Sequence, residues 1–115
     1  MSDINRLKDK LIEFRDERDW KQFHNPKDLS QAISIEASEL LEHFLWISQV
    51  DSHKVVQDNK EDIADEMADI FSYLLSLSDV TGIDLEKALL NKIEKNKKKY
   101  PVEKAKGTAK KYNKL

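Results

Sequence analysis

Apolar residues recur at intervals of three and four positions along most of the chain, which is the spacing of one face of an α-helix. The first such stripe consists of Ile4, Leu7, Leu11 and Phe14. The pattern predicts four helices, at about residues 3–18, 29–47, 60–80 and 85–100. We interpret the sequence DWKQFHNPKD as an ordered loop before the second helix and residues 48–59 as a polar connection after it.

Residues typical of helix ends support the last two predicted helices. Gly82 fits a left-handed C-cap and Asp84 fits the following N-cap, while Pro101 stops further helix. Four amphipathic helices with short connections predict an all-α fold, a four-helix bundle formed by residues 1–100. Residues 101–115 would then form a basic C-terminal tail.

The third predicted helix is apolar over more than half of its circumference. Such a helix must be covered on more than one side, either by the rest of its own bundle or by another subunit. The sequence therefore favours a homo-oligomer, although a well-covered central helix would give the same pattern.

Composition excludes several kinds of function. The chain has no cysteine, so a thiol nucleophile, a disulfide framework and a thiolate metal site are ruled out. No apolar run is long enough to cross a membrane, and the polar N-terminus does not resemble a signal peptide, so we expect a cytoplasmic location and no membrane partner. Residues 92–115 contain ten lysines and two glutamates, but few aromatic residues, so we expect no specific nucleic-acid binding.

Two helices place carboxylates on their apolar faces. Glu36 lies among Ala32, Ile33 and Leu40 on a helical wheel, and Glu39 follows three residues later. Glu66 and Asp69 repeat this arrangement on the third helix. Ionised carboxylates facing a dry interior are costly unless they are paired, and no Lys or Arg lies between residues 27 and 54. The simplest compensation is a hard divalent cation, with Mg²⁺ preferred and Mn²⁺ second.

Other interpretations of these acids remain open. A solvated surface pair is the ordinary explanation of a single E-x-x-E, and His43 fits either a metal ligand or the edge of the core. Asp62 fits an additional ligand, whereas Glu42 points towards the surface. A di-iron site is disfavoured because the positions that would carry its histidines are Glu39 and Asp69.

Aromatic and cationic residues could complete a site for a nucleoside polyphosphate. Aromatic rings can stack on a base, while lysine and asparagine can bind phosphate oxygens. The alternative for each aromatic residue is the core. The candidates for contact with the nucleotide are Trp20, Phe23, Trp46, Tyr73, Lys92 and Asn96.

The acidic motif, with 26 residues between its halves, resembles that of the MazG-like all-α nucleotide pyrophosphohydrolases. The segments ERDWKQFHNPKDL, FLW, DEMADIFSYL, NKIEKNKKKYPV and KGTAKKY are similar to the dCTP pyrophosphatase branch, so the resemblance covers nearly the whole chain. It implies Mg²⁺-dependent cleavage of a deoxynucleoside triphosphate to its monophosphate and pyrophosphate, usually as a house-cleaning activity. It also implies a dimer, or a tetramer built as a dimer of dimers.

The resemblance assigns roles to individual residues. It implies that Glu36, Glu39, Glu66 and Asp69 bind the metal and are catalytic. Leu11 departs from the family's histidine contact, which leaves the preferred base open. The residues implied to contact the nucleotide are Trp20, Lys21, Gln22, Phe23, His24, Trp46 and Tyr73, with Lys92 and Asn96 near the phosphates.

Two rival functions remain at this point. The acids could hold an ion that only stabilises a non-catalytic binding module, or the lysine-rich tail could bind a partner through its charge. Turnover of a triphosphate separates the enzyme from the first rival, and salt-sensitive binding that is lost without residues 101–115 would indicate the second.

Overall fold

The computed structural model describes residues 2–115, which are helical with no β-strand. The predicted all-α class is therefore confirmed. These residues form α1 (Asp3–Glu17), α2 (Pro26–Glu42), α3 (Ser52–Asp58), α4 (Lys60–Thr81), α5 (Leu85–Lys99) and α6 (Val102–Ala105), with 3₁₀ turns at Lys21–Phe23 and Tyr112–Lys114. None of the described helices is long and apolar enough to cross a bilayer.

Helix α2 begins and ends earlier than its apolar pattern predicts. Pro26 occupies the first turn, and the Asn25 side chain accepts a hydrogen bond of 2.9 Å from the Asp28 amide. At the other end, the amides of residues 43–45 bond to carbonyls three residues back, and Trp46 has a left-handed φ of 64°. The predicted helix to residue 47 is wrong because this tightened turn continues the apolar spacing without continuing the helix.

The connection predicted as irregular contains helix α3. Its half-buried residues are Ser52, Val55 and Val56, and the helix packs against α4. Seven residues are too few to show a helical period, so the sequence pattern did not reveal this helix.

The chain forms two compact units, of which the first ends at Gly82. In this unit α4 packs against α1, α2 and α3, so it is the central helix. The apolar side chains that are buried in the described chain are Leu29, Ile63 and Leu75. This arrangement fixes α2 beside α4, which brings together the two helices that carry the acidic motif.

The second unit comprises Ile83–Leu115. Asp84 caps α5 by accepting a hydrogen bond of 3.0 Å from the Lys87 amide, as predicted, and Gly82 has the predicted left-handed φ of 72°. The segment predicted as a tail contains α6, and the Tyr100 and Tyr112 rings meet edge to face at 6.1 Å. The bundle packing of the fourth predicted helix and the domain boundary at residue 100 stay predictions.

Candidate metal and nucleotide site

Three carboxylates converge where α2 faces α4. Glu36 and Glu39 project from α2 one turn apart, and Glu66 projects from α4. One oxygen from each lies within 4.8 Å of the other two. Three of the four acids that sequence spacing predicted to converge, all except Asp69, therefore do meet, with the donor type and spacing that suit a hard divalent cation.

Electrostatic repulsion in this acid cluster, defined as Glu36, Glu39 and Glu66, is substantial. Burial raises the pKa of Glu36 to about 7, with a hydrogen bond between Glu36 and Glu39 and the charges of Glu39, Asp69 and Glu66 adding to the effect. Burial, followed by the hydrogen bond and charge of Glu39, also raises the pKa of Glu66. One buried oxygen on each of Glu36 and Glu66 has no hydrogen-bond partner among the described residues. A cation would satisfy both the charge and these oxygens.

Asp69 lies outside the group of three converging oxygens but close to it. Its charge raises the pKa of Glu36, Glu66 and Tyr73. Its side chain also lines a cavity of about 390 Å³. Asp69 therefore lies near both the acid cluster and this cavity.

A separate cavity of about 430 Å³ next to the acid cluster is lined by Glu39, Glu42, His43 and Glu66. His43 Nε2 lies 3.9 Å from Glu66 Oε1, which is too far for a hydrogen bond but close enough for the charge of a protonated imidazole to matter. Glu42 is exposed, as predicted, yet it borders this hollow. Asp62 is exposed and lies outside the acid cluster.

The cavity of about 390 Å³ beside Asp69 has enough volume for a small-molecule site. Its walls come from α1, α4 and the loop between α1 and α2. The lining residues are Leu11, Phe14, Arg15, Trp20, His24, Asp69, Ser72, Tyr73 and Ser76.

The loop after α1 brings Trp20 back to this cavity. Asp19 has a left-handed φ of 55°, and the Trp20 amide bonds to the Arg15 carbonyl at 3.1 Å. The Trp20 ring then meets Phe14 edge to face, with centroids 5.7 Å apart. The Gln22 amide group donates to the Asp19 carbonyl and carboxylate at 3.0 and 3.1 Å, which holds the turn.

The predicted nucleotide contacts divide into two groups. Trp20, His24 and Tyr73 line the cavity, and so does Leu11, the position where the sequence departs from its family. The other predicted contacts do not line the cavity. Lys21, Gln22 and Phe23 are exposed, and so is Trp46, at 93%. Lys92 and Asn96 belong to α5 in the second unit.

Sequence reasoning missed several residues of the cavity, namely Phe14, Arg15, Ser72 and Ser76. Phe14 was assigned to the core but is 44% exposed and lines the cavity. Arg15 lies four residues after Leu11, so it occupies an apolar position just as Glu36 does. The rule that found the acids would therefore have found Arg15 as well.

Solved structures define the class of this fold and site. The crystal structure of a pyrophosphatase from Archaeoglobus fulgidus matches this chain with a TM-score of 0.84 and 43% identity, covering 88% of this chain and 94% of that one. The fold is therefore that of an all-helical pyrophosphatase.

The chain belongs to the MazG-like family, whose sequence pattern matches residues 31–115. It is 38% identical to dCTP pyrophosphatase 1 of Rattus norvegicus over 117 aligned residues, covering 100% of this chain and 67% of that protein. With dCTP pyrophosphatase 1 of Homo sapiens the identity is 35% over the same coverage. The resemblance inferred from the acidic motif is confirmed.

A divalent cation should stabilise the protein more at pH 8 than at pH 5.5. The raised pKa of Glu36 means that the folded chain binds extra protons between about pH 4.5 and 7, so metal-free stability falls as pH rises through that window. A cation must displace those protons and therefore binds better at pH 8. At 100 times its dissociation constant it should raise Tm by about 10 °C. Thermal unfolding with Mg²⁺ or EDTA at both pH values tests this, and equal shifts would contradict it.

Proposed function

We propose that this protein is a Mg²⁺-dependent pyrophosphohydrolase that cleaves dCTP, or a related deoxycytidine nucleotide, to the monophosphate and pyrophosphate. Family membership supports nucleotide pyrophosphatase activity, and the names of the relatives favour dCTP. The observation that carries the proposal is the acid cluster beside a nucleoside-sized cavity, with Asp69 next to both.

The residues of the acid cluster fit the proposed metal. Carboxylate oxygens are the ligands that Mg²⁺ prefers, and the unpartnered oxygens of Glu36 and Glu66 provide two of them. Glu39 and Asp69 would complete the set. Bound Mg²⁺ would neutralise charge on the phosphate oxygens and make a water molecule more acidic.

The chemistry of the step follows from the reactants. A water oxygen bonds to the α-phosphorus while the bond from that phosphorus to the bridging oxygen breaks, so pyrophosphate leaves. Glu36 or Glu39 orients the water and accepts its proton. No covalent enzyme intermediate is required.

In this proposal the cavity holds the nucleoside, and the phosphates extend from it past Asp69 towards the acid cluster. Trp20 and Tyr73 supply flat apolar walls, and His24 supplies a ring nitrogen. Lys21, Gln22 and Phe23 would contact the nucleotide from the cavity's rim. The contact of Lys92 and Asn96 with the phosphates remains a prediction from the family resemblance, in which the lysine supplies positive charge.

Replacing Trp46 by Ala should raise KM for the triphosphate about tenfold with little change in kcat. The side chain is 93% exposed, so it contributes almost nothing to the core but remains available to cover a bound nucleotide. Steady-state kinetics on Trp46→Ala, with Val50→Ala as the exposed-loop control, provide the measurement. An unaltered KM would remove Trp46 from the substrate site.

We also propose that the enzyme works as a dimer or tetramer in the cytoplasm. Large apolar side chains on α2 and α4 remain exposed, including Leu41 at 70%, Met67 at 58% and Phe71 at 41%. Monomers seldom expose so much apolar surface on adjoining helices.

The test of the function is a panel of dNTPs and NTPs with Mg²⁺, with products separated by chromatography and pyrophosphate assayed apart from phosphate. Formation of monophosphate and pyrophosphate, fastest with dCTP or a close analogue, is expected. Metal binding without turnover of any triphosphate would instead favour the non-catalytic binding module.

A further inference from the structure

One wall of the cavity is a buried arginine to which the proposed chemistry assigns no role. Arg15 is only 3% exposed, although it lines the cavity. Its Nε donates to Asp16 at 3.0 Å and its Nη1 donates to Asp79 on α4 at 2.7 Å. Two charge-assisted hydrogen bonds hold the guanidinium in one orientation.

The remaining nitrogen of Arg15 is available to a ligand. Nη2 has no hydrogen-bond partner among residues 2–115. It is also not among the fully enclosed polar atoms of the described chain that lack partners. Arg15 lines the cavity, and Nη2 is the guanidinium nitrogen that the described residues leave available to donate to an acceptor there.

The charges around this cavity argue against an anion inside it. Asp79 and Asp16 both pair with the single positive charge of Arg15, and Asp69 adds a further negative charge. The other walls include Leu11, Phe14, Trp20 and Tyr73. A flat, uncharged ring with an acceptor at its edge fits such a cavity, whereas a phosphate does not.

His24 provides a second polar atom at the same cavity. Its Nδ1 is buried with no hydrogen-bond partner, and burial together with the charge of Arg15 lowers the pKa of His24. The imidazole is therefore neutral near pH 7 and adds no charge to this wall of the cavity.

We propose that Arg15 is a specificity-determining residue that reads the edge of the nucleobase by donating a hydrogen bond from Nη2. The acceptor that it reads is N3 of cytosine, because O2 is an acceptor in every pyrimidine and does not distinguish them. Thymine and uracil carry a hydrogen on N3, so a donor would face the guanidinium, which cannot accept. The geometry thus favours cytosine over the other pyrimidines. Cytosine gains a hydrogen bond, whereas thymine or uracil would place two donors against each other. This inference rests on the proposed function.

Two variants test the role of Arg15. Arg15→Lys keeps a positive charge that can pair with Asp79 but leaves no nitrogen for the cavity. The double variant Arg15→Met/Asp79→Leu removes the buried pair and leaves only Asp16, which is 52% exposed, without its partner. In each, the ratio of kcat/KM for dCTP to that for dTTP should fall about 10- to 100-fold, the range for a hydrogen bond to a charged group. The loss should lie mainly in KM for dCTP.

Arg6→Met is the matched control, because Arg6 is an exposed arginine on the same helix, paired only with Asp3 at 3.6 Å. It should keep the wild-type ratio. Folded Arg15 variants with an unchanged dCTP to dTTP ratio, or with an equal fall for both nucleotides, would overturn the role of Arg15, and so would a wild-type enzyme that prefers dTTP. A wild-type enzyme that cleaves no triphosphate would overturn the proposed function itself.

Discussion

Replacing Glu36 by Gln should reduce kcat at least about 1000-fold and, at the same time, stabilise the metal-free protein at pH 8. The loss of activity is expected because Glu36 supplies an oxygen to the acid cluster and is a candidate for the group that activates water. The gain in stability is expected because burial and neighbouring acids raise the pKa of Glu36 to about 7, so its charged form is unfavourable in the fold.

Steady-state kinetics with Mg²⁺ and thermal unfolding in EDTA measure the two effects on the same preparation. Asp65→Asn is the control, since it removes an exposed carboxylate next to Glu66 without touching the acid cluster. Activity of Glu36→Gln within tenfold of wild type would remove Glu36 from the mechanism. Loss of both activity and metal-free stability would show that Glu36 serves the fold instead.

The sequence predicted the parts of the fold that depend on long apolar periods or on special backbone geometry. Helices α1, α4 and α5 were placed to within a residue at each end, and Gly82 and Asp84 were assigned correctly as caps. Helix α3 and the end of α2 were missed. Helix α3 is too short to show an apolar period, and the end of α2 is decided by local hydrogen bonds and the left-handed Trp46, which do not change the apolar spacing.

For the site, the useful signal was a charged residue on an apolar helix face. It correctly placed Glu36, Glu39 and Glu66 together. It also predicted Asp69 as a member of this group, whereas Asp69 lies outside the three converging oxygens, because its position depends on the rotation of α4 against α2. Nor does spacing within one helix show that Arg15 meets Asp79, which is 64 residues away in the chain.

The effect of the Arg15–Asp79 pair on the free energy of unfolding can also be measured. Burial alone lowers the pKa of Arg15, but the hydrogen bonds and charges of Asp79 and Asp16 outweigh this and raise it above its usual value. Arg15 therefore stays charged inside the protein. The stability of the protein therefore depends on keeping both Arg15 and Asp79. Removing one member of a buried ion pair costs more free energy of unfolding than replacing both members with apolar residues.

Arg15→Met alone should destabilise the protein by about 3 kcal/mol, the lower end of the range for breaking a buried pair. The lower end applies because the Asp79 side chain is 27% exposed and water can partly solvate it once it is unpaired. The double variant Arg15→Met/Asp79→Leu should recover most of this loss, since the only charge left without its partner is Asp16, whose side chain is 52% exposed and stays solvated. Chemical denaturation of both variants at pH 7 measures the difference. Equal destabilisation would mean that Arg15 contributes through packing of its side chain rather than through its charge.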